Sequence, residues 1–162
     1  MNCAGTGQDG DVRAGATLSY TSNNDGTITD NNTKLVWEKK TNCSGGTHCV
    51  NDVYTWDAAF AYVAALNAAN FAGHNDWRLP NIKELQSIIN YQYIGPAVSP
   101  EFNDCGNGSC TVFDGFYWSS STFALDPAFA WKVFFHDGSV VVRIDGLDKT
   151  GARYVRAVRG GL

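Results

Sequence analysis

Five cysteines are the first residues in this chain whose types and spacing could do chemistry. Cys43 and Cys49 bracket Ser-Gly-Gly-Thr-His, and Cys105 and Cys110 bracket Gly-Asn-Gly-Ser. Each pair spans a Gly-rich loop short enough for a local disulfide, which would contribute roughly 2 kcal/mol if unstrained. The rival chemistry is zinc held by Cys43, Cys49, Cys105 and Cys110 with His48. Zinc sites favour tight C-x2-C knuckles, and neither pair has that spacing. Two disulfides are therefore expected, and with them an oxidising compartment and export. Cys3 is left over, to pair elsewhere, to anchor the chain or to stay free.

Other reactive residues are sparse. His48 lies in a Cys loop, His74 in a Gly turn and His136 beside a hairpin turn, where a solvated imidazole is the simplest expectation. No nucleophile elbow, H-E-x-x-H or P-loop is present, and Ser119-Ser120-Ser121 reads as strand edge. No catalytic residue is assigned, and the chain is read as a non-enzyme. Structural calcium is a minor alternative to having no cofactor. Asn24, Asp25, Asp30 and Asn31 could offer oxygens, as could Glu101, Asn103, Asp104 and Asp114. Neither stretch matches an EF-hand loop, and Asx-turns explain both equally well. Trp37, Trp56, Trp77, Trp118 and Trp131 fall on inward positions and read as core. The ligand-facing candidates are outward residues near the C-terminal hairpin: Phe123, Asp126, Phe129, Lys132, Phe134, His136 and Arg143.

Composition narrows the function classes. The 162 residues suit one domain, read as residues 19–162 after a linker or tail over 1–18. The opening Asn-Cys-Ala-Gly-Thr-Gly-Gln-Asp-Gly-Asp has no signal-peptide pattern, so an export signal is expected upstream. No apolar run is long enough to span a membrane. Net charge is −4, which argues against general nucleic-acid binding. The balance is uneven: residues 132–162 hold six Lys/Arg against three Asp, net +3, leaving −7 in residues 1–131. Such asymmetry marks either a mixed solvated surface or a partner surface.

The elements that must position these residues are readable from pattern. Asp25-Gly26 and Asn31-Asn32 mark turns around two short strands, with Leu35 and Trp37 facing one way and Val36 and Glu38 the other. Thr55 should cap a helix over about 56–69, with Trp56, Phe60, Val63 and Leu66 as its stripe. Pro80 stops the extended Trp77-Arg78-Leu79. Asn81 and Glu84 then form a capping box for a second helix that buries Ile82, Leu85, Ile88 and Ile89. About eleven residues separate the helices, and the second is apolar, so this is no DNA-reading helix-turn-helix. Trp77 and Leu79 read as a buried strap, with Arg78 in an internal ion pair. Residues 91–116 form a long loop, and strands follow. A two-residue Asp137-Gly138 turn would pair Phe135 with Val140, Val133 with Val142 and Trp131 with Ile144 on a core face. His136–Ser139, Phe134–Val141 and Lys132–Arg143 would then share the outer face. The last pair sets like charges opposite each other, which calls for an anion: Asp126, Asp145 or an acidic glycan.

The motifs Asp-Gly-Thr-Ile-Thr-Asp (25–30), Gly-His-Asn-Asp-Trp-Arg-Leu-Pro-Asn (73–81), Tyr-Trp-Ser-Ser-Ser (117–121), Ala-Trp-Lys-Val-Phe-Phe-His-Asp-Gly (130–138) and Tyr-Val-Arg-Ala-Val-Arg-Gly (154–160) follow in order. Over residues 22–160 this succession resembles the domain family typified by the C-terminal domain of the Legionella collagen-like adhesin. The resemblance implies an α+β, C-type-lectin-like fold, with two helices flanking a mixed, mostly antiparallel β-sheet. It also implies a secreted or cell-surface bacterial protein that serves adhesion through a glycan or surface-protein partner. Alternatives are a structural module that caps or oligomerises a larger surface protein, as a homotrimer for instance, or a variable ligand-binding protein of a diversity-generating retroelement. The calcium motif of sugar-binding lectins is not matched: Leu79-Pro80-Asn81 lacks the acidic ligand, and Asn75-Asp76-Trp77 has the wrong order. The reactive cysteine pair of formylglycine-generating enzymes is not matched either.

Overall fold

The computed structural model describes residues 4–8, 12, 15–43, 46–105, 109–143 and 146–161. Among them, strands β1 (Tyr20–Ser22), β2 (Thr27–Asp30), β3 (Leu35–Glu38) and β4 (Val53–Tyr54) precede helices α1 (Trp56–Ala68) and α2 (Ile82–Ser87). Strands β5 (Phe116–Thr122), β6 (Ala130–Phe134), β7 (Ser139–Val141), β8 (Arg153–Tyr154) and β9 (Val158–Gly160) follow. They form a four-stranded sheet, β1-β2-β3-β9, and a five-stranded sheet, β4-β8-β5-β6-β7. All pairings are antiparallel except β5 with β8, so the fold is α+β with mixed sheets, as expected. The closing strands tie the sheets together: β8 joins the second, and four residues later β9 joins the first. Cys3, Ile144 and Asp145, named above for pairing or charge, lie outside the described residues.

Both helices start where their caps dictate. The Thr55 hydroxyl accepts the Ala58 N–H, and Asp57 in the first turn complements the helix dipole. The buried stripe of α1 is Ala59, Tyr62, Val63 and Leu66. It is thus rotated from the expected one: Phe60 is 40% exposed and Trp56 half-buried. Ala59 has no bulk beyond Cβ, so that face packs closest, and Tyr62 is drawn in by a hydrogen bond described below. The capping box of α2 is complete, with Asn81 Oδ1 accepting Glu84 N–H at 2.9 Å and Glu84 Oε2 accepting Asn81 N–H at 2.8 Å.

The strap before α2 is a brace, as its sequence implied. Trp77 and Leu79 are buried. Arg78 exchanges both backbone hydrogen bonds with Val158 of β9, and its guanidinium forks onto Glu84 at 2.7 and 2.6 Å. The triple serine of β5 holds the strap from the other side. The Pro80 carbonyl accepts from Ser120 N–H at 2.8 Å, and Ser121 Oγ accepts Ile82 N–H at 3.0 Å. The serines therefore serve the fold.

The C-terminal hairpin forms in a different register. Val133 pairs with Val140, Lys132 with Val141 and Phe134 with Ser139, closing a four-residue turn over 135–138. The expected pairs Phe135–Val140, Val133–Val142 and Lys132–Arg143 do not form. The shift is two residues, so the faces survive while the partners change. Its cause lies in the long loop: Ala97 N–H donates to the Phe135 carbonyl at 2.6 Å, and Gly95 N–H donates to the His136 carbonyl at 2.8 Å. Those carbonyls are thereby withdrawn from the hairpin. Gly138, at φ +81°, sits so close to Ile89 and Tyr91 that a Cβ there would meet them at 2.6 and 2.8 Å.

Strands β5 and β6 lie between two cores. Tyr117, Val133 and Phe135 pack with Ile28, Trp37 and the apolar residues of and after α2, while Trp118 and Ala130 pack with α1, Trp77 and Leu79. The sheet therefore has no fully solvated face at its centre, which decides where the expected ligand residues lie.

Candidate functional site

The seven expected ligand residues separate into three places. Lys132 is completely buried, which corrects its assignment as a surface contact. It shares a face with Trp118, and the segment after β7 covers it. Its Nζ donates to the Leu147 carbonyl at 3.3 Å and stands 5.5 and 5.4 Å from the centroids of the Phe116 and Trp118 rings. Phe123, Asp126, Phe129 and Arg143 come together in a second place. Arg143 Nη2 donates to Asp126 Oδ2 at 2.5 Å, and the guanidinium carbon lies 5.4 Å from the Phe123 centroid and 4.7 Å from that of Phe129. The anion that Arg143 calls for is therefore internal, and no like-charge pair with Lys132 exists.

Phe134 and His136 occupy the third place, in the middle of an aromatic row. Phe134 stacks on Phe116 at 4.8 Å and on the His136 ring at 5.7 Å, and Phe113 follows at 5.9 Å from His136. The Arg153 guanidinium lies 5.7 Å from the Phe116 centroid at the far end. At the Phe113 end the row meets the loop after α2, where Tyr91 packs against Gly138, and Gly95 approaches Phe113. That loop exposes Tyr91 (76%) and Ile94 (73%), and Phe113 beside it is 47% exposed. A groove of 530 Å³ opens between Tyr93, Ile94, Pro96, Pro100, Asn103 and Asp104. Tyr91, Tyr93, Ile94 and Phe113 thus form one exposed apolar area among the described residues, with Val53, Phe60 and Leu125 exposed elsewhere. Sequence pattern alone did not find it, because Tyr91, Tyr93, Ile94 and Phe113 lie in a segment without period. The available signal was a long loop rich in aromatic and aliphatic residues.

The residues that could do acid–base chemistry are used elsewhere. Glu38, on the face opposite Leu35 and Trp37 as expected, is fully buried. Its Oε1 accepts from Lys40 Nζ at 2.9 Å, from His48 Nδ1 at 2.8 Å and from the Tyr62 hydroxyl, and its Oε2 accepts Ala157 N–H at 2.9 Å. Burial by itself would raise the Glu38 pKa; the Lys40 ammonium and these hydrogen bonds hold it down at about 2. Burial, then the Glu38 charge, raises the Tyr62 hydroxyl well above the ordinary tyrosine range. Arg156, also fully buried, donates to the Glu38, Cys110 and Thr111 oxygens at 2.9, 2.7 and 2.9 Å.

Both cysteine pairs close as expected, Cys43–Cys49 with Cα atoms 5.1 Å apart and Cys105–Cys110 at 5.5 Å, so the four thiols do not form a zinc site. Both loops converge on the Glu38 cluster: His48 belongs to one and Cys110 to the other. The Asx-rich stretch before β3 is occupied by its own turns. Asp25 Oδ1 accepts Thr27 N–H and Oγ–H, and Asp30 accepts Asn32 N–H, Thr33 N–H and the Thr33 hydroxyl. Among the described residues, no three His, Cys, Asp or Glu side chains cluster in a way that could hold a metal ion. No described helix is long and apolar enough to cross a membrane.

No curated protein matches the chain. The profile of the Lcl C-terminal domain matches residues 26–159, a span that takes in both helices, both disulfide loops and the whole aromatic row. The chain therefore belongs to the Lcl C-terminal domain family, a family associated with surface proteins, and is an adhesin-like domain.

Proposed function

We propose that this domain is a non-catalytic extracellular binding module, and that its recognition face is the row Phe113, His136, Phe134 and Phe116 with the adjoining loop of Tyr91, Tyr93 and Ile94. The observation that carries this reading is a group of exposed apolar side chains, Tyr91, Tyr93, Ile94 and Phe113, around a loop fixed by backbone hydrogen bonds. The loop is pinned by Gly95 and Ala97 to the hairpin turn, and by Asn90 N–H to the Ala97 carbonyl at 2.9 Å. A face fixed in advance loses little entropy on binding. Two disulfides and membership of the family support a secreted or cell-surface location. The two short helices packed on mixed sheets, with first and last strands in one sheet, accord with a C-type-lectin-like organisation. The non-catalytic reading rests on the fate of the reactive groups: Glu38, Lys40, His48 and Tyr62 satisfy one another in the interior.

The test is solid-phase binding of the labelled domain to immobilised matrix proteins and polysaccharides. Saturable binding, competed by unlabelled domain and lost in Tyr91→Ser/Phe113→Ser at unchanged melting temperature, is the expected result. Absence of saturable binding to every surface, or full retention by the double variant, would overturn the assignment of the face.

A further inference from the structure

The two disulfides are built alike and held differently. Their sequence separations are 6 and 5, and each joins a half-buried cysteine, Cys43 or Cys105, to a buried one, Cys49 or Cys110. An attacking thiolate reaches the half-buried member, so access does not distinguish the pairs. Their neighbours do. The Thr41 hydroxyl stands 3.2 Å from Cys43 Sγ, and a hydroxyl can donate to a disulfide sulfur. A Thr41–Cys49 bridge, with Thr41 N–H on the His48 carbonyl and Val50 N–H on the Thr41 carbonyl, both at 2.9 Å, keeps the two cysteines together. Thiols held so close reclose readily. Cys105 Sγ instead faces the Lys40 carbonyl oxygen at 3.5 Å. A disulfide sulfur has no hydrogen to give that oxygen, whereas a thiol is a weak donor. Reduction therefore gives Cys105 a partner, and a stabilised reduced form makes a disulfide easier to open. What this bond holds is the edge of the contact face. Asn103 and Asp104 line the groove, and Asn103 Oδ1 accepts the Ser109 hydroxyl at 2.5 Å and Thr111 N–H at 3.3 Å across the loop. The Cys110 carbonyl and Thr111 Oγ1 accept from Arg156 Nη2 at 2.7 and 2.9 Å, and the Tyr117 hydroxyl accepts Val112 N–H at 2.9 Å. Phe113, the exposed end of the aromatic row, is next in the chain. A disulfide across so short a loop constrains the open chain less than a long one, so its effect is mainly local.

We propose that Cys105–Cys110 is a redox latch on the contact face, opened by a dithiol before Cys43–Cys49 and while the rest of the domain stays folded. This rests on reading that face as the recognition surface, and it gives the surface a means of regulation. The opening is a thiol–disulfide exchange. A thiolate of the dithiol attacks Cys105 Sγ, the bond between the two cysteines breaks, and its electron pair leaves on Cys110 Sγ, which takes up a proton. The second thiol of the reagent gives up its proton and attacks the mixed disulfide. Cys105 Sγ leaves with the electron pair and is protonated, so the protein ends as two thiols and the reagent as a cyclic disulfide. The segment from Ser109 to Phe113 is then held by noncovalent contacts alone. Local opening becomes easier there than in the two cores, and the groove edge and Phe113 lose their fixed positions.

The experiment titrates the whole chain with dithiothreitol and reads two signals. Free thiols are trapped with N-ethylmaleimide in denaturant and located by mass spectrometry. Amide hydrogen exchange is followed in parallel by NMR. Cys105 and Cys110 are expected to be labelled at dithiothreitol concentrations at least tenfold below those that label Cys43 and Cys49. At that point the Thr111 and Val112 amides should exchange at least tenfold faster, while Leu66 and Leu85 in the two helices keep their rates. Adhesion to a surface that the untreated domain binds should fall at least threefold. Opening of Cys43–Cys49 first or together with Cys105–Cys110 would overturn the proposal. So would unchanged exchange at Thr111 and Val112 once Cys105–Cys110 is open, or equal acceleration at Leu66 and Leu85, which would mean global unfolding. Adhesion that survives opening of the bond would also overturn it, and would leave the recognition reading intact. If the untreated domain adheres to no surface while the labelling order and the local exchange hold, the recognition reading fails and the latch stands as a device of this loop.

Discussion

The ring of groups around Glu38 and the aromatic face beside the hairpin turn are opposites in composition and in burial. The first gathers Glu38, Lys40, His48, Tyr62 and Arg156, with one disulfide on each side, and hides nearly all of them. The second gathers the half-buried Phe116 and Phe134 with Tyr91, Tyr93, Ile94 and Phe113, which are exposed. In this domain the reactive side chains hold the fold and several apolar ones stay at the surface. A buried ion pair stabilises only when every charge is matched. Glu38 meets that condition, because both of its oxygens are occupied and Arg156 finds three acceptors. Of the Arg156 donors only Nε, which is buried, lacks an acceptor among the described residues. The aromatic face has unspent apolar area instead, which is what association can use.

The largest expected effect breaks the first region. Glu38→Ala would leave Lys40 buried without its anion, and removing one member of a buried pair costs about 3–5 kcal/mol. Urea denaturation at neutral pH should show that loss, with Tyr91→Ser unchanged to within about 0.5 kcal/mol. A Glu38→Ala protein as stable as its parent would mean that the cluster is not closed.

Acid should reproduce part of that loss without mutation. The Glu38 pKa is held at about 2 in the fold against 4.5 in the open chain. A depressed carboxylate pKa contributes stability that is present above the unfolded value and is lost as pH falls through the folded one. The window is therefore about pH 4.5 down to 2, and the contribution is about 3 kcal/mol. The urea midpoint should fall across that window in the wild type and fall less in Glu38→Gln, which cannot titrate there. Parallel pH profiles for the two proteins would remove Glu38 from the account.

The difference between the two regions also explains what sequence could and could not disclose. Cysteine spacing, the Thr55 and Asn81 caps and the Trp77–Leu79 strap are local features, and local geometry realised them. Alternation rightly set Glu38 on the face opposite Trp37, but it carries no information about Ala157 or Tyr62, more than twenty residues away, that bury it there. The hairpin register was missed for the same reason. Asp137-Gly138 is a sound turn signal by itself, but the Phe135 and His136 carbonyls are taken by Ala97 and Gly95 of a distant loop. That loop is also the part of the contact face with no periodic pattern to announce it. The error and the missed site thus share one cause, a segment whose structure is set entirely by tertiary contacts.

The smallest expected effect separates two cations that sequence pairing treated as equals. Arg143 is 53% exposed, its pair with Asp126 is solvated, and its contacts with Phe123 and Phe129 lie at the surface. An exposed ion pair contributes about 0.2–1 kcal/mol and an exposed cation–π contact a similar amount, so Arg143→Ser should cost about 1 kcal/mol. Lys132 is different because its stem is buried beside Phe116 and Trp118 and its ammonium satisfies the Leu147 carbonyl. Lys132→Ser removes a charged hydrogen bond, at about 1.5–3 kcal/mol, and the packing of three methylenes as well. The pair of melting curves therefore tests the central assertion that one face of β6 is interior. A larger loss for Lys132→Ser than for Arg143→Ser supports the two-core arrangement. Equal small losses would return Lys132 to the surface and restore the like-charge pair with Arg143 that the observed register removes.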